Sequence, residues 1–164
     1  VDEPRTQPFD EAAFIAALRA RRVVATTGPW LDVEVAATKG APTVGPGASL
    51  RAKRSVYVDV TLAQAGFVKA EQIKIWLGTP AGPTLVHAAP PPRVQVELEL
   101  GPDDTWLAIT ADGDTPMPKE ITGTYQQDRW KRPGVTPFAL AAAVLIDVDG
   151  DGRWKRGEAD VVLP

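Results

Sequence analysis

The feature that most restricts the fold of this chain is a period of two. Leu31, Val33 and Val35 alternate with Asp32 and Glu34; Val56, Val58, Val60 and Leu62 with Tyr57, Asp59 and Thr61; Val94, Val96, Leu98 and Leu100 with Gln95, Glu97 and Glu99. Successive side chains of a strand point to opposite faces, so each run presents one apolar face and one polar face. Ile73, Ile75 and Leu77, then Leu107 and Ile109, repeat the pattern. Between the runs stand Gly45-Pro46-Gly47, Gly78-Thr79-Pro80, Pro90-Pro91-Pro92 and Gly101-Pro102, where proline's fixed φ and glycine's freedom end regular structure. Short half-buried strands punctuated in this way predict a mainly β chain: an antiparallel, immunoglobulin-like β-sandwich with a short N-terminal helix.

That helix is expected after a polar, linker-like stretch over residues 1–9. Asp10 is placed to cap it, and the helix runs through Glu11, Phe14 and Leu18 to Arg22. Phe14 and Leu18 lie one turn apart with Ile15 beside them, an apolar stripe that needs something to pack on. Thr26-Thr27-Gly28-Pro29 then ends the segment, giving a linker, helix and connection over 1–29 and the sandwich over 30–164. Residues 112–135 read as a long excursion around Trp130, and Phe138 to Ile146 suits either helix or strand, since Ala139 to Ala143 favours the first and Val144-Leu145-Ile146 the second.

The 164 residues suffice for one domain with a single core. A net charge of -3 lacks the basic excess with which nucleic-acid binders track phosphates, so no nucleic-acid partner is expected. No apolar run is long enough to span a bilayer. The absence of cysteine excludes disulfides, thiolate zinc sites and cysteine nucleophiles. The start at Val1-Asp2-Glu3-Pro4 reads as a piece of a longer protein.

The sharpest chemical signal runs from Asp147 to Glu158, which fits D-x-D-x-D-G-x5-E at every specified position. Calcium takes six to eight oxygens in a flexible cage. Asp147, Asp149 and Asp151 offer side-chain oxygens, Arg153 a backbone carbonyl and Glu158 a bidentate carboxylate. Gly152 permits the sharp turn, and Trp154 is the apolar residue expected to anchor the loop on the core. An acidic solvated turn has much the same composition. The six residues after Glu158 are too few for an exiting helix, so a structural calcium loop in a β setting is expected rather than a full EF-hand. Arg153, Lys155 and Arg156 offset part of its charge and set the expected affinity at about 0.1 to 1 mM.

Catalytic chemistry has little to build on, and no catalytic residue is assigned. His87 is the only histidine, which excludes two-histidine and Cys/His metal sites. Ser49 and Ser55 lie in no nucleophile motif. Glu97 with Glu99, and Asp112 with Asp114, are spaced like paired carboxylates but fall on a polar strand face and in a turn. Trp106 is expected to pack, whereas Trp76 and Trp130 are candidates to face a partner. The basic group Arg129, Lys131, Arg132, Arg153, Lys155 and Arg156 reads as a solvated face.

The order of these pieces resembles the C-terminal end of PHP-type metallohydrolases of the CehA/McbA kind. The resemblance rests on the helix Phe14 to Arg22, the turn Thr26 to Pro29, the strand Leu31-Asp32-Val33-Glu34-Val35, Val44-Gly45-Pro46-Gly47, Asp104-Thr105-Trp106-Leu107, and Thr136-Pro137-Phe138-Ala139 leading into the aspartate-rich loop. Ala141-Ala142-Ala143 stands where the family usually has a polar threonine-asparagine-proline step, and residues 118–134 read as an insertion. The resemblance implies a non-catalytic accessory sandwich of a hydrolase whose divalent metals are held in an upstream barrel. The partners it implies are that barrel and, through the N-terminal helix, a second copy of the chain. The alternative is a calcium-stabilised module that binds a sugar or a protein through exposed tryptophans on a secreted or surface protein. Calcium use favours an extracytoplasmic location.

Overall fold

The structure is a computed structural model that describes residues 9–122, 134–156 and 159–162. It is a two-layer β-sandwich with a helical prefix. The larger sheet runs β1(Val24–Thr26), β9(Phe138–Asp147), β8(Thr105–Asp112), β5(Gln72–Thr79), β6(Gly82–Ala89), with β3(Ser49–Arg51) also on β9. The smaller runs β2(Trp30–Ala36), β4(Ser55–Ala63), β7(Arg93–Glu99). A separate hairpin, β10(Arg153–Arg156) with β11(Ala159–Val162), follows β9. All pairings are antiparallel except β3 with β9, which is parallel. The chain changes sheet repeatedly, going from β1 to β2, β2 to β3, β3 to β4 and β4 to β5.

The core lies where the sequence period places it. Leu31, Val33 and Val35 of β2, Val56, Val58, Val60 and Leu62 of β4, and Val94 and Leu98 of β7 meet Ile73, Ile75 and Leu77 of β5 and Leu107, Ile109 and Ala111 of β8 in one cluster. The alternate residues turn to water. On the smaller sheet Arg93 there grips Asp59 in a two-pronged pair, Nε to Oδ1 at 2.8 Å and Nη2 to Oδ2 at 2.5 Å. That bond to Arg93 holds the Asp59 carboxyl below its usual range despite partial burial.

Strand β9 resolves the ambiguous alanine-rich segment. Leu107 pairs with Val144 and Ile109 with Ala141, so Ala142 and Ala143 together oppose Ala108. This bulge switches the parity of the strand: Ala139 and Ala141 face the core before it, Val144 and Ile146 after it. The small alanines suit the crowded crossover, where Ala142 also donates its N–H to the Val23 carbonyl at 2.9 Å.

Helix α1(Glu11–Arg19) begins where the sequence predicts, with the Asp10 carboxylate accepting the Ala13 N–H at 2.9 Å. It ends three residues before Arg22. Arg21 adopts φ 57, and the N–H groups of Arg21 and Arg22 turn back to the carbonyls of Leu18 and Ala17, a Schellman closure made with arginine in place of glycine. Gly47 lies against this turn so closely that a Cβ there would sit 2.3 Å from the Arg21 carbonyl oxygen. No residue of α1 is buried; Phe14 is 50% and Leu18 47% exposed. Among the described residues no helix is long and apolar enough to cross a membrane. A second short helix, α2(Lys119–Thr122), lies within the predicted excursion over 112–135, of which residues 123–133, with Arg129, Trp130, Lys131 and Arg132, lie outside the described residues.

Ile109 is fully buried on β8, between β5 and β9. Ile109→Ala is expected to cost about 2–5 kcal/mol in urea unfolding with an unchanged denaturant slope. A loss below about 1 kcal/mol would contradict this account of the core.

Candidate ion site

The C-terminal end of β9 delivers Asp147 into a place where water does not reach. The residue is 2% exposed. Gly150 donates its N–H to Asp147 Oδ1 at 2.6 Å and Gly152 donates to Oδ2 at 3.0 Å. Arg51 pairs with Asp147 in the β3–β9 register, and its Nε lies 3.5 Å from Oδ2. Burial, the largest single influence, raises the pKa of this carboxyl. The N–H groups of Gly152 and Gly150 and the Arg51 guanidinium together outweigh burial and hold it below its ordinary value.

The rest of the loop turns on the same device one step at a time. Asp149 Oδ1 accepts the Asp151 N–H at 2.9 Å, and Asp151 Oδ1 accepts the Arg153 N–H at 2.8 Å. Gly152 takes φ 80, the left-handed conformation for which glycine is suited at the turn. Trp154 anchors the loop as its position predicts. It is 9% exposed, and its indole Nε1 donates to the Thr105 carbonyl at 2.7 Å.

One carboxylate at the site has no place in the linear motif. Asp104, 8% exposed in the turn before β8, accepts the Val148 N–H on Oδ1 at 2.9 Å. Single oxygens of Asp104, Asp147 and Asp149 all lie within 4.8 Å of one another. Calcium holds its oxygens at about 2.3–2.6 Å, so two oxygens on one ion are separated by at most about 5 Å. The spacing fits one hard cation touching all three, and Asp149, being exposed, leaves that side open to water. Asp151 is not in this group of three; its described oxygen caps the turn. Arg153 is exposed at the start of β10, and Glu158 lies outside the described residues.

The remaining candidates are dispersed. His87 sits on edge strand β6, with three strands between it and Ser49 on β3, while Ser55 belongs to the other sheet. Ser55 donates to Glu97 Oε1 at 2.7 Å, and Asp112 pairs with Lys74 at 2.8 Å, so these carboxylates have structural partners. Trp76 and Trp106 are half-buried and alternate away from the core on adjacent strands, and Trp76 Nε1 donates to Thr110 Oγ1 at 2.9 Å. Trp30, at the start of β2, is 55% exposed.

In excess chelator, Asp147→Ala should lose about 1–3 kcal/mol, because it strands the N–H groups of Gly150 and Gly152 beside an unopposed Arg51. The exposed Asp149→Ala should lose less than about 1 kcal/mol. Equal losses in chemical denaturation would show that burial of Asp147 carries no special weight.

Comparison of the chain with protein-family models, with curated proteins and with solved structures finds no match, so residues and geometry carry the functional reading.

Proposed function

We propose that this chain is a non-catalytic accessory β-sandwich, of immunoglobulin-like type, belonging to a PHP-type metal-dependent hydrolase, with a structural calcium ion in the loop that begins at Asp147. The observation that carries the calcium reading is the meeting of Asp104, Asp147 and Asp149 oxygens within 4.8 Å at the start of a loop whose sequence supplies further oxygens in calcium-binding order. All the donors are hard oxygens, which suits calcium better than a thiophilic or imidazole-seeking metal. Asp151, the Arg153 carbonyl and Glu158 would complete the set. The ion's role would be to hold the end of β9, the turn before β8 and the β10–β11 hairpin together. Arg51 competes with the ion for Asp147 and, with Arg153, Lys155 and Arg156, keeps the affinity toward the weak end.

The accessory reading is supported by the order of motifs that resembles the CehA/McbA kind and by the exposed stripe of α1. Phe14, Ile15 and Leu18 are 50%, 37% and 47% exposed, and a helix of nine residues that buries none of them gains little from the sandwich it precedes. An upstream barrel carrying the catalytic metals is the partner whose surface would cover that stripe. A calcium-stabilised module that binds sugar or protein through Trp76 and Trp30 is the competing reading; it requires no such barrel.

Thermal unfolding across calcium concentrations, begun in excess chelator, tests the ion. The midpoint should rise with calcium in the parent, with stabilisation reaching about 2.7 kcal/mol at a hundredfold excess over the dissociation constant, and should stay flat in Asp149→Ala. A parent midpoint indifferent to calcium would reduce the loop to an acidic turn.

A further inference from the structure

Among the described residues β6 ends the larger sheet and β7 the smaller, and residues of both line one cleft. Among the described residues β6 pairs only with β5, so on either side of its bulge the outward backbone groups, less the N–H that Pro83 lacks, face away from every described strand. Exposed edges are commonly guarded by charged side chains, by proline or by a bulge; this edge has Pro83 near its start and a bulge at Val86. Gly82-Pro83-Thr84-Leu85-Val86-His87-Ala88-Ala89 contains no lysine, arginine, aspartate or glutamate, and Leu85 and Val86 are 44% and 38% exposed. A bulge marks the middle of this edge: Ile75 pairs with His87 and Trp76 with Leu85, leaving Val86 without an opposite number on β5.

Val86 lines a cleft of about 760 Å³ that lies between this edge and the turn joining β7 to β8. Leu77 forms part of its apolar wall, and Glu99, Asp103 and Asp104 line it with no cationic side chain among the described residues. Asp104 is buried and engaged with Val148, whereas Glu99 and Asp103 are exposed. Lys53 and Arg54 line a different depression, which shares Glu99 with this one. A free uncharged edge beside a negatively lined cleft has the two parts that strand addition uses: main-chain groups for affinity and a side-chain pocket for selectivity.

We propose that an extended peptide carrying a lysine or arginine adds to the outer edge of β6, with its main chain paired on either side of the bulge at Val86 and its basic side chain in the cleft at Glu99 and Asp103. The proposal rests on the edge and these two carboxylates and is independent of calcium in the Asp147 loop.

The test uses the whole chain and a short capped peptide of alternating threonine and valine with one central lysine. The same peptide with a central glutamate is the control, and calorimetry is run both in chelator and in calcium. The lysine peptide should bind at least about tenfold more tightly than the control. That ratio should fall severalfold when Glu99→Gln and Asp103→Asn are combined, both being exposed changes, and hydrogen exchange of the β6 amides should slow on binding. Equal binding of the two peptides, binding without added protection on β6, or no binding below about 1 mM would overturn the proposal. So would concentration-dependent self-association that protects the same amides, because a second copy would then hold the edge.

Discussion

Asp147 keeps a negative charge at a position where 2% of its surface meets water. An isolated carboxylate so placed would cost several kcal/mol, so the surrounding chain has to supply donors. It does so with three donors: Gly150 and Gly152 from the loop ahead, and Arg51 from the parallel strand β3. Next to it Asp104 fixes the Val148 N–H, and Trp154 ties the far side of the loop to the Thr105 carbonyl. The start of β8, the end of β9 and the start of β10 are therefore joined through polar groups that water cannot readily replace. The apolar core between the sheets stabilises the sandwich as a whole, but these contacts decide where β9 stops and how the chain leaves it.

β9 is the strand on which the larger sheet is organised, since it pairs with β1, β3 and β8. The bulge at Ala142 and Ala143 lets one strand satisfy two geometries. Before it the strand matches β1 and the distal half of β8; after it the strand matches β3 and the proximal half. If the same residues alternated regularly without a bulge, the parity that buries Ala139 and Ala141 would turn Val144 and Ile146 to the outside and bring Asp147 to the opposite face. The ion site thus depends on a local irregularity some five residues upstream.

Much of this was legible in the chain because burial on one face of a strand writes itself as alternation. β2, β4, β5, β7 and β8 could be read directly, as could Asp10 as a helix cap and Trp154 as an anchor. β6 could not, because as an edge strand it exposes residues on both faces and shows no alternation. β9 was ambiguous for a related reason: its bulge shifts the period midway, and its alanines have high helix propensity that tertiary pairing overrides. The helix ended early because Arg21 accepts a left-handed conformation that sequence assigns to glycine or asparagine. Asp147 and Asp149 were legible as members of a spaced motif, while Asp104 was not. It joins them from a turn 44 positions away from its hydrogen-bond partner Val148, and the only local hint is an Asp-Asp pair ahead of the β8 strand.

The measurement that tests the account most directly is terbium luminescence. Terbium is a hard, oxygen-seeking stand-in for calcium, and Trp154, anchored one residue from Asp104 through Thr105, is positioned to sensitise an ion held by Asp104, Asp147 and Asp149. Excitation of tryptophan should give terbium emission that calcium displaces and that Asp149→Ala and Asp104→Asn each weaken. Emission that is absent, or that persists unchanged in both variants, would contradict an ion at this junction and leave Asp147 as a carboxylate satisfied by Gly150, Gly152 and Arg51 alone.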